Sequence, residues 1–313
     1  MSFLAVLFAL LLEQARPLSD RNWVHSTCRA WVRWVRSSLD AGQHHHGLLV
    51  WFMAVVVPVA LTALVHLALW SYSLVLTFVW AVLVLYTTLG FRQFSHHFTA
   101  VRGALEAGDE AKARECLADW RRVGPESIQH TDLLRQAVVH SVVAVHRHVL
   151  GVVVCFVVLW MLGLGPAGAV LYRLADYMVS SNAARQKKDG ASGDGLVPSE
   201  RVCEVASRAW YRINFVPARA SAVAFAIVGN FEEAVANWRT LNASGLDKND
   251  DIVIAAAAGA LNLSLVPQVD ADTSGSSRQP ELAHLASMVG LVWRSVVLWM
   301  LFLALLTLAN SVG

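Results

Sequence analysis

The sequence is short of charge. Only 15% of its 313 residues are Asp, Glu, Lys or Arg, against about 25% in a soluble globular domain. That argues against a soluble enzyme and against a disordered chain. The formal net charge of +2 is too small for the basic patch that a phosphate backbone requires, so nucleic acid is excluded as a partner. Cysteine is scarce too. Cys28, Cys116, Cys155 and Cys203 lie far apart and none forms a CxxC pair, so neither a disulfide framework nor a zinc site is implied. The chain has no internal repeat and no low-complexity tract. Its first apolar stretch, Met1 to Leu12, lacks the basic start and small-residue cleavage site of a signal peptide, and is read as retained.

What is abundant is apolar surface. Hydrophobic residues make up 56% of the chain, and the mean hydropathy is +0.49. Residues 41–91, 148–172 and 295–313 contain no Asp, Glu, Lys or Arg at all. A membrane helix needs about 20 mostly apolar residues to cross a core of roughly 30 Å. The fold class expected is therefore all-α, a multi-pass membrane protein with four to five transmembrane helices, short or re-entrant helices, and cytoplasmic helical segments. The 12 tryptophans suit membrane interfaces.

Residues 48–70 and 72–91 read as a transmembrane hairpin, with Pro58 kinking its first helix. Before it, Trp31 and Val35 repeat at helical spacing among Arg29, Arg33 and Arg36. That pattern fits equally a helix in the headgroup region and an amphipathic helix packed on the protein. Residues 92–136 form a soluble insert of two helices broken near Gly108–Asp109, with Asp109 as a cap. Residues 137–172 are apolar apart from Arg147 and three histidines, and a re-entrant or broken arrangement is expected there. Residues 183–200 read as a mobile loop, and 267–280 as a linker. Two short apolar helices, 215–229 and 252–266, and a terminal transmembrane helix, 289–311, complete a single membrane domain over 1–313.

An ordered series of short motifs carries a resemblance. Glu13–Gln14–Ala15–Arg16–Pro17–Leu18 follows the first apolar run, and Tyr86 to Arg92 (YTTLGFR) closes the hairpin. The insert runs from Ala104 to Gly124 and leads into Ala137–Val138–Val139. Then come GPAGAVLYR (Gly165 to Arg173), NFVPAR (Asn214 to Arg219), GNFEEAVANWR (Gly229 to Arg239) and an Ala/Gly-rich helix. Taken together they resemble the superfamily of the cobalamin-biosynthesis CobD/CbiB proteins and the AmpE membrane proteins. The CobD/CbiB resemblance implies an adenosylcobinamide-phosphate synthase, which joins adenosylcobyric acid to an aminopropanol phosphate using ATP. It also implies acids at four-residue intervals on the helix after Ala-Val-Val, on one face and suited to hold Mg²⁺ against phosphates.

This sequence departs there. The acidic positions fall on His140, Ala144 and His148, the family's later aspartate falls on Val179, and its asparagine on Asp176. These departures are closer to the AmpE branch, whose resemblance implies an inner-membrane protein linked to β-lactamase induction. No metal site is expected, and Mg²⁺ and ATP enter only if synthase activity persists.

The candidate ligand residues are Glu13, Arg16, Arg147, Tyr172, Arg173, Asp176, Asn214 and Arg219. Arg147 lies inside an apolar run, where a charge must pair or face a polar cavity. Pro217 is expected to begin a helix and to place Arg219 in its first turn, where N–H groups and a guanidinium fork suit an anion. His44–His45–His46 and His96–His97 read as exposed interface residues. The leading expectation is a bacterial inner-membrane protein without synthase activity. It would bind a phosphate- or carboxylate-bearing small molecule or a corrinoid in a regulatory role, with membrane lipid and a second copy of the chain as further partners. The alternatives are an active synthase with a relocated metal site at Glu13, Asp176 and Glu232, and a binder or transporter of lipid or cell-wall fragments.

Overall fold

Apolar runs become helices because backbone groups in hydrocarbon must pair within their own segment. The computed structural model describes residues 2–16, 23–39, 46–121, 123–128, 132–188, 199–243, 248–263 and 281–312, and these form helices and turns with no strand. The chain opens with α1 (Ser2–Ala15), α2 (Trp23–Leu39), α3 (His46–Trp51), α4 (Val57–Tyr72) and α5 (Leu74–Thr88). Next come α6 (Phe91–Glu106), α7 (Glu110–Arg121), α8 (Leu133–Val145) and α9 (Gly151–Met161). Then follow α10 (Ala167–Lys188), α11 (Glu200–Ile213) and α12 (Phe215–Val228). The chain ends with α13 (Phe231–Ala243), α14 (Asn249–Ala260) and α15 (Leu282–Val312).

Among the described residues three helical runs are long and apolar enough to cross a membrane: Gly47–Tyr72, Leu133–Met161 and Leu282–Ala309. Shorter apolar helices, α1, α5 and α12, accompany them. The architecture is all-α and of membrane type. The hairpin's second helix is shorter than the run 72–91, because the backbone is extended at Ser73 and again at Leu89. Its 15 residues reach about 22 Å at about 1.5 Å per residue. Pro58 stands in the first turn of α4, straight after a π-helical turn at Phe52–Val56. Proline lacks an N–H and crowds the carbonyl four residues back, and a π turn accommodates both.

Leu133–Met161 is one helical run, widened to a π turn at His146–Leu150. The break expected within 137–172 is a tight turn after it. Gly163 and Gly165 there adopt φ of 78° and 60°, a left-handed region open to glycine at no steric cost. The chain then returns as α10, packed on α9. A Cβ on Gly151 would overlap the Tyr172 ring, and one on Gly168 would overlap the Cys155 carbonyl. Small residues thus set the approach of these two helices, as at membrane helix contacts.

The helices divide into two compact units. The first comprises residues 1–89 and 151–217, the second 90–150 and 218–313. In the first, α1 packs on α5 through buried Ala5 and Ala9 and an edge-to-face pair, Phe8–Phe78. α2 packs on protein: Val32 and Val35 are buried with Val50, Ala54, Met178, Val202 and Ala206. In the second, α6 and α7 are the two helices expected of the insert, joined through Gly108–Asp109, and the Asp109 carboxylate accepts the Lys112 N–H at 3.0 Å. Their apolar faces enclose Val101, Leu117 and Leu133.

Of the loop expected over 183–200, residues 183–188 belong to α10 and 199–200 open α11, while 189–198 lie outside the described residues. The linker 267–280 and His44–His45 also lie outside them.

Candidate functional site

α10 brings Tyr172, Arg173 and Asp176 to adjacent turns because they stand three and four apart. Tyr172 is fully buried, and its hydroxyl donates to Asn214 Oδ1 at 2.9 Å. Asn214 is itself fully buried, held at the corner between α11 and α12 by its N–H to the Trp210 carbonyl. The Trp210 ring lies 5.1 Å from that of Tyr172. Arg173 lies 3.9 Å from the Asp176 carboxylate. Asp176, Tyr172 and Glu13 all act electrostatically on its guanidinium. Glu13 comes from the end of α1 and is 4% exposed. An ionised carboxylate so buried must be paired or hydrogen-bonded, and the Arg173 guanidinium is a positive charge within its electrostatic reach. Arg16, one turn on, has an exposed side chain, and its carbonyl accepts the Tyr86 hydroxyl at 2.6 Å.

Six of the eight candidate residues, Glu13, Arg16, Tyr172, Arg173, Asp176 and Asn214, belong to the first unit, and Arg147 and Arg219 to the second. Both of these arginines reach one helix start. Arg147 donates to Asp250 at 2.5 Å, and Arg219 donates to Asn249 Oδ1 at 3.2 Å. Asn249 and Asp250 open α14. Sequence reading passed over them. The signal was present as Asn249–Asp250–Asp251 before an Ala-rich run, since acids favour a first helical turn. Burial holds the next carboxyl, Asp251, above its ordinary pKa, with Asp250 adding to the effect and Lys248 opposing it. Pro217 is the third residue of α12, not its first, because Phe215 already begins the helix.

The helix after Ala137–Val138–Val139 carries no carboxylate at the positions discussed. Ala144 is buried, and His140 meets the Trp120 ring edge-on at 4.6 Å. His97 stacks on the same indole at 5.9 Å, which makes it a packing residue, unlike the exposed His96. His146 is fully buried and shares a hydrogen bond of 2.9 Å with Ser221. Imidazoles spent in this way do not form the oxygen set that Mg²⁺ takes. Among the described residues no three His, Cys, Asp or Glu side chains gather closely enough to hold a metal ion. Glu232 is exposed and lies in the second unit, whereas Glu13 and Asp176 lie in the first.

Comparison with known proteins covers almost all of the chain. Residues 3–270 match the sequence profile of the CobD/Cbib protein family. A cobalamin biosynthesis protein CobD from Stutzerimonas stutzeri is 29% identical over 328 aligned positions, covering 96% of each chain. Another of the same name, from Chromobacterium violaceum, is 32% identical over 185 positions, covering 59% of this chain and 54% of that one. No solved structure matches.

Proposed function

We propose, from the premise that this chain belongs to the CobD/CbiB family, that it binds a phosphate- or carboxylate-bearing ligand without making the synthase's amide bond. One observation carries this reading. The helix expected to present acids to a metal presents His140, Ala144 and His148 instead, and His140 is engaged with Trp120. Mg²⁺ is a hard cation that takes oxygen ligands. With that donor set gone, a magnesium-bridged phosphate has no holder on this helix. The polar groups that remain, Glu13, Tyr172, Arg173, Asp176 and Asn214, bind and orient through hydrogen bonds and charge. Arg173 supplies the fork that suits phosphate or carboxylate oxygens. A protein of this kind has occupancy, not turnover, as its output, and its role is regulatory. Its setting is the inner membrane of a bacterium.

The test is direct. Purified protein is given adenosylcobyric acid, aminopropanol phosphate, Mg²⁺ and ATP, and the product is sought by mass spectrometry. The expected result is no amide product, with corrinoid binding that Arg173→Gln weakens. Product formation overturns the reading. It would favour the second one, an active synthase in cobalamin biosynthesis, which the names of the two relatives support.

A further inference from the structure

Two amphipathic helices of the first unit share one buried cluster and turn their other faces outward. From α2, Val32 and Val35 enter the cluster; from α11, Val202 and Ala206 enter it. Both helices also flank α3, which holds the first turns of the run Gly47–Tyr72. Gly47 meets the backbone of Arg201 so closely that a Cβ there would press on it. The outward faces are basic and aromatic. α2 and α11 together hold six arginines and two glutamates. Glu204 binds both Arg201 and Arg208, and Arg36 is buried and donates to the Met178 carbonyl and Ser181 Oγ, so the cationic surface of interest is that of Arg33 and Arg212. Arg33 and Arg212 are exposed, and neither pairs with a carboxylate among the described residues. Trp34 is 59% exposed and Tyr211 43%.

We infer that α2 and α11 form a collar for anionic phospholipid headgroups at one end of the run Gly47–Tyr72. The span beside them fixes the level of the bilayer, and headgroup phosphates complement Arg33 and Arg212. Arginines beside a membrane attract acidic lipid, and exposed Trp and Tyr rings settle at the headgroup level. The collar also assigns this end of the span to the side facing the more anionic leaflet.

The full chain is reconstituted in nanodiscs of phosphatidylcholine alone, or of phosphatidylcholine with phosphatidylglycerol in equal parts. Phosphatidylglycerol retained by the protein after extraction is then measured by mass spectrometry. The wild type is expected to enrich phosphatidylglycerol over its share in the disc. The enrichment should fall by about fivefold for each arginine lost in Arg33→Gln and Arg212→Gln. Raised salt should weaken it, because exposed charges are screened over about 10 Å at 0.1 M. Arg33→Lys with Arg212→Lys should keep it. So should Arg102→Gln, which removes an exposed arginine of α6 bound to Glu106. Equal retention in the wild type and the double glutamine variant overturns the collar, as does an equal loss in Arg102→Gln. If the double variant does not fold, Arg212→Gln alone decides on the same readout.

Discussion

Arg147 and Asp250 lie 103 residues apart in sequence and meet at 2.5 Å, each side chain about one quarter exposed. An arginine in an otherwise apolar run thus finds its counter-charge at the start of α14. Removing either partner takes this counter-charge away from the other, partly buried, which costs more than losing an exposed pair. Arg147→Ala and Asp250→Ala are each expected to destabilise by about 1–3 kcal/mol. The double alanine variant should lose less than the sum, because both changes break one interaction. Thermal unfolding of the four proteins in one detergent gives the cycle, and strict additivity would refute the coupling.

The helix contact between α9 and α10 rests on absent side chains. Gly168 faces the Cys155 carbonyl and Gly151 faces the Tyr172 ring. Backbone does not yield as a flexible side chain does, so Gly168→Ala should do more damage than Gly151→Ala. Overpacking costs about 1–3 kcal/mol where the surroundings can shift, and Gly168→Ala is expected at or above that range. Yield of folded protein by size-exclusion chromatography, followed by melting temperature, ranks the two. The reverse order would show that the helices separate easily.

Much of this fold was legible because hydrocarbon imposes simple rules. Charge-free runs mark the long helices, and Gly163, Gly165 and Pro166 mark the turn between α9 and α10. Asp109 announced its cap, and Tyr172, Arg173 and Asp176, named together as candidates, do lie on one helix, α10. Long-range partners were not legible. Nothing local to Arg147 points to Asp250, and nothing near Tyr172 points to Asn214, since each pairing is made by tertiary packing. The π turns were also hidden, because a widened turn leaves no fixed residue signature beyond a nearby proline in one of the two cases. α2 shows the same limit. Its pattern fitted a headgroup helix and a packed helix equally, and burial of Val32 and Val35 shows that it packs on protein, with Arg36 buried beside them against Met178 and Ser181 while Arg33 stays exposed.

Burial pushes the Cys28 thiol on α2 above its ordinary value of 9.0. Fewer thiolates then exist at any given alkaline pH, and the thiolate is the reactive form. In a variant keeping Cys28 as its sole cysteine, maleimide labelling of the folded protein should rise at higher pH than labelling of the denatured chain. The linkage has a definite sign. The unfolded thiol ionises first, so the stability contributed by the neutral thiol is full below 9.0 and is lost as pH climbs through the raised value. Identical pH profiles for folded and denatured protein would sink this prediction.

The final prediction concerns the end of α12. Arg294 on α15 donates through Nη1 to the Val228 carbonyl at 3.0 Å and through Nε to Gly290 at 3.2 Å. Val228 closes α12, where the last carbonyls lack partners within the helix and carry the negative end of its dipole. A guanidinium satisfies both needs, and its fork reaches two carbonyls at once. Arg294→Ala should therefore lower stability by about 1 kcal/mol, in the range of a modest charge-assisted hydrogen bond. Arg294→Lys keeps the cation beside the helix end but loses the second donor, so about half the effect should return. Melting temperatures of the three proteins provide the comparison. A lysine variant as unstable as the alanine variant would show that the fork's geometry, not the charge, is what α12 requires.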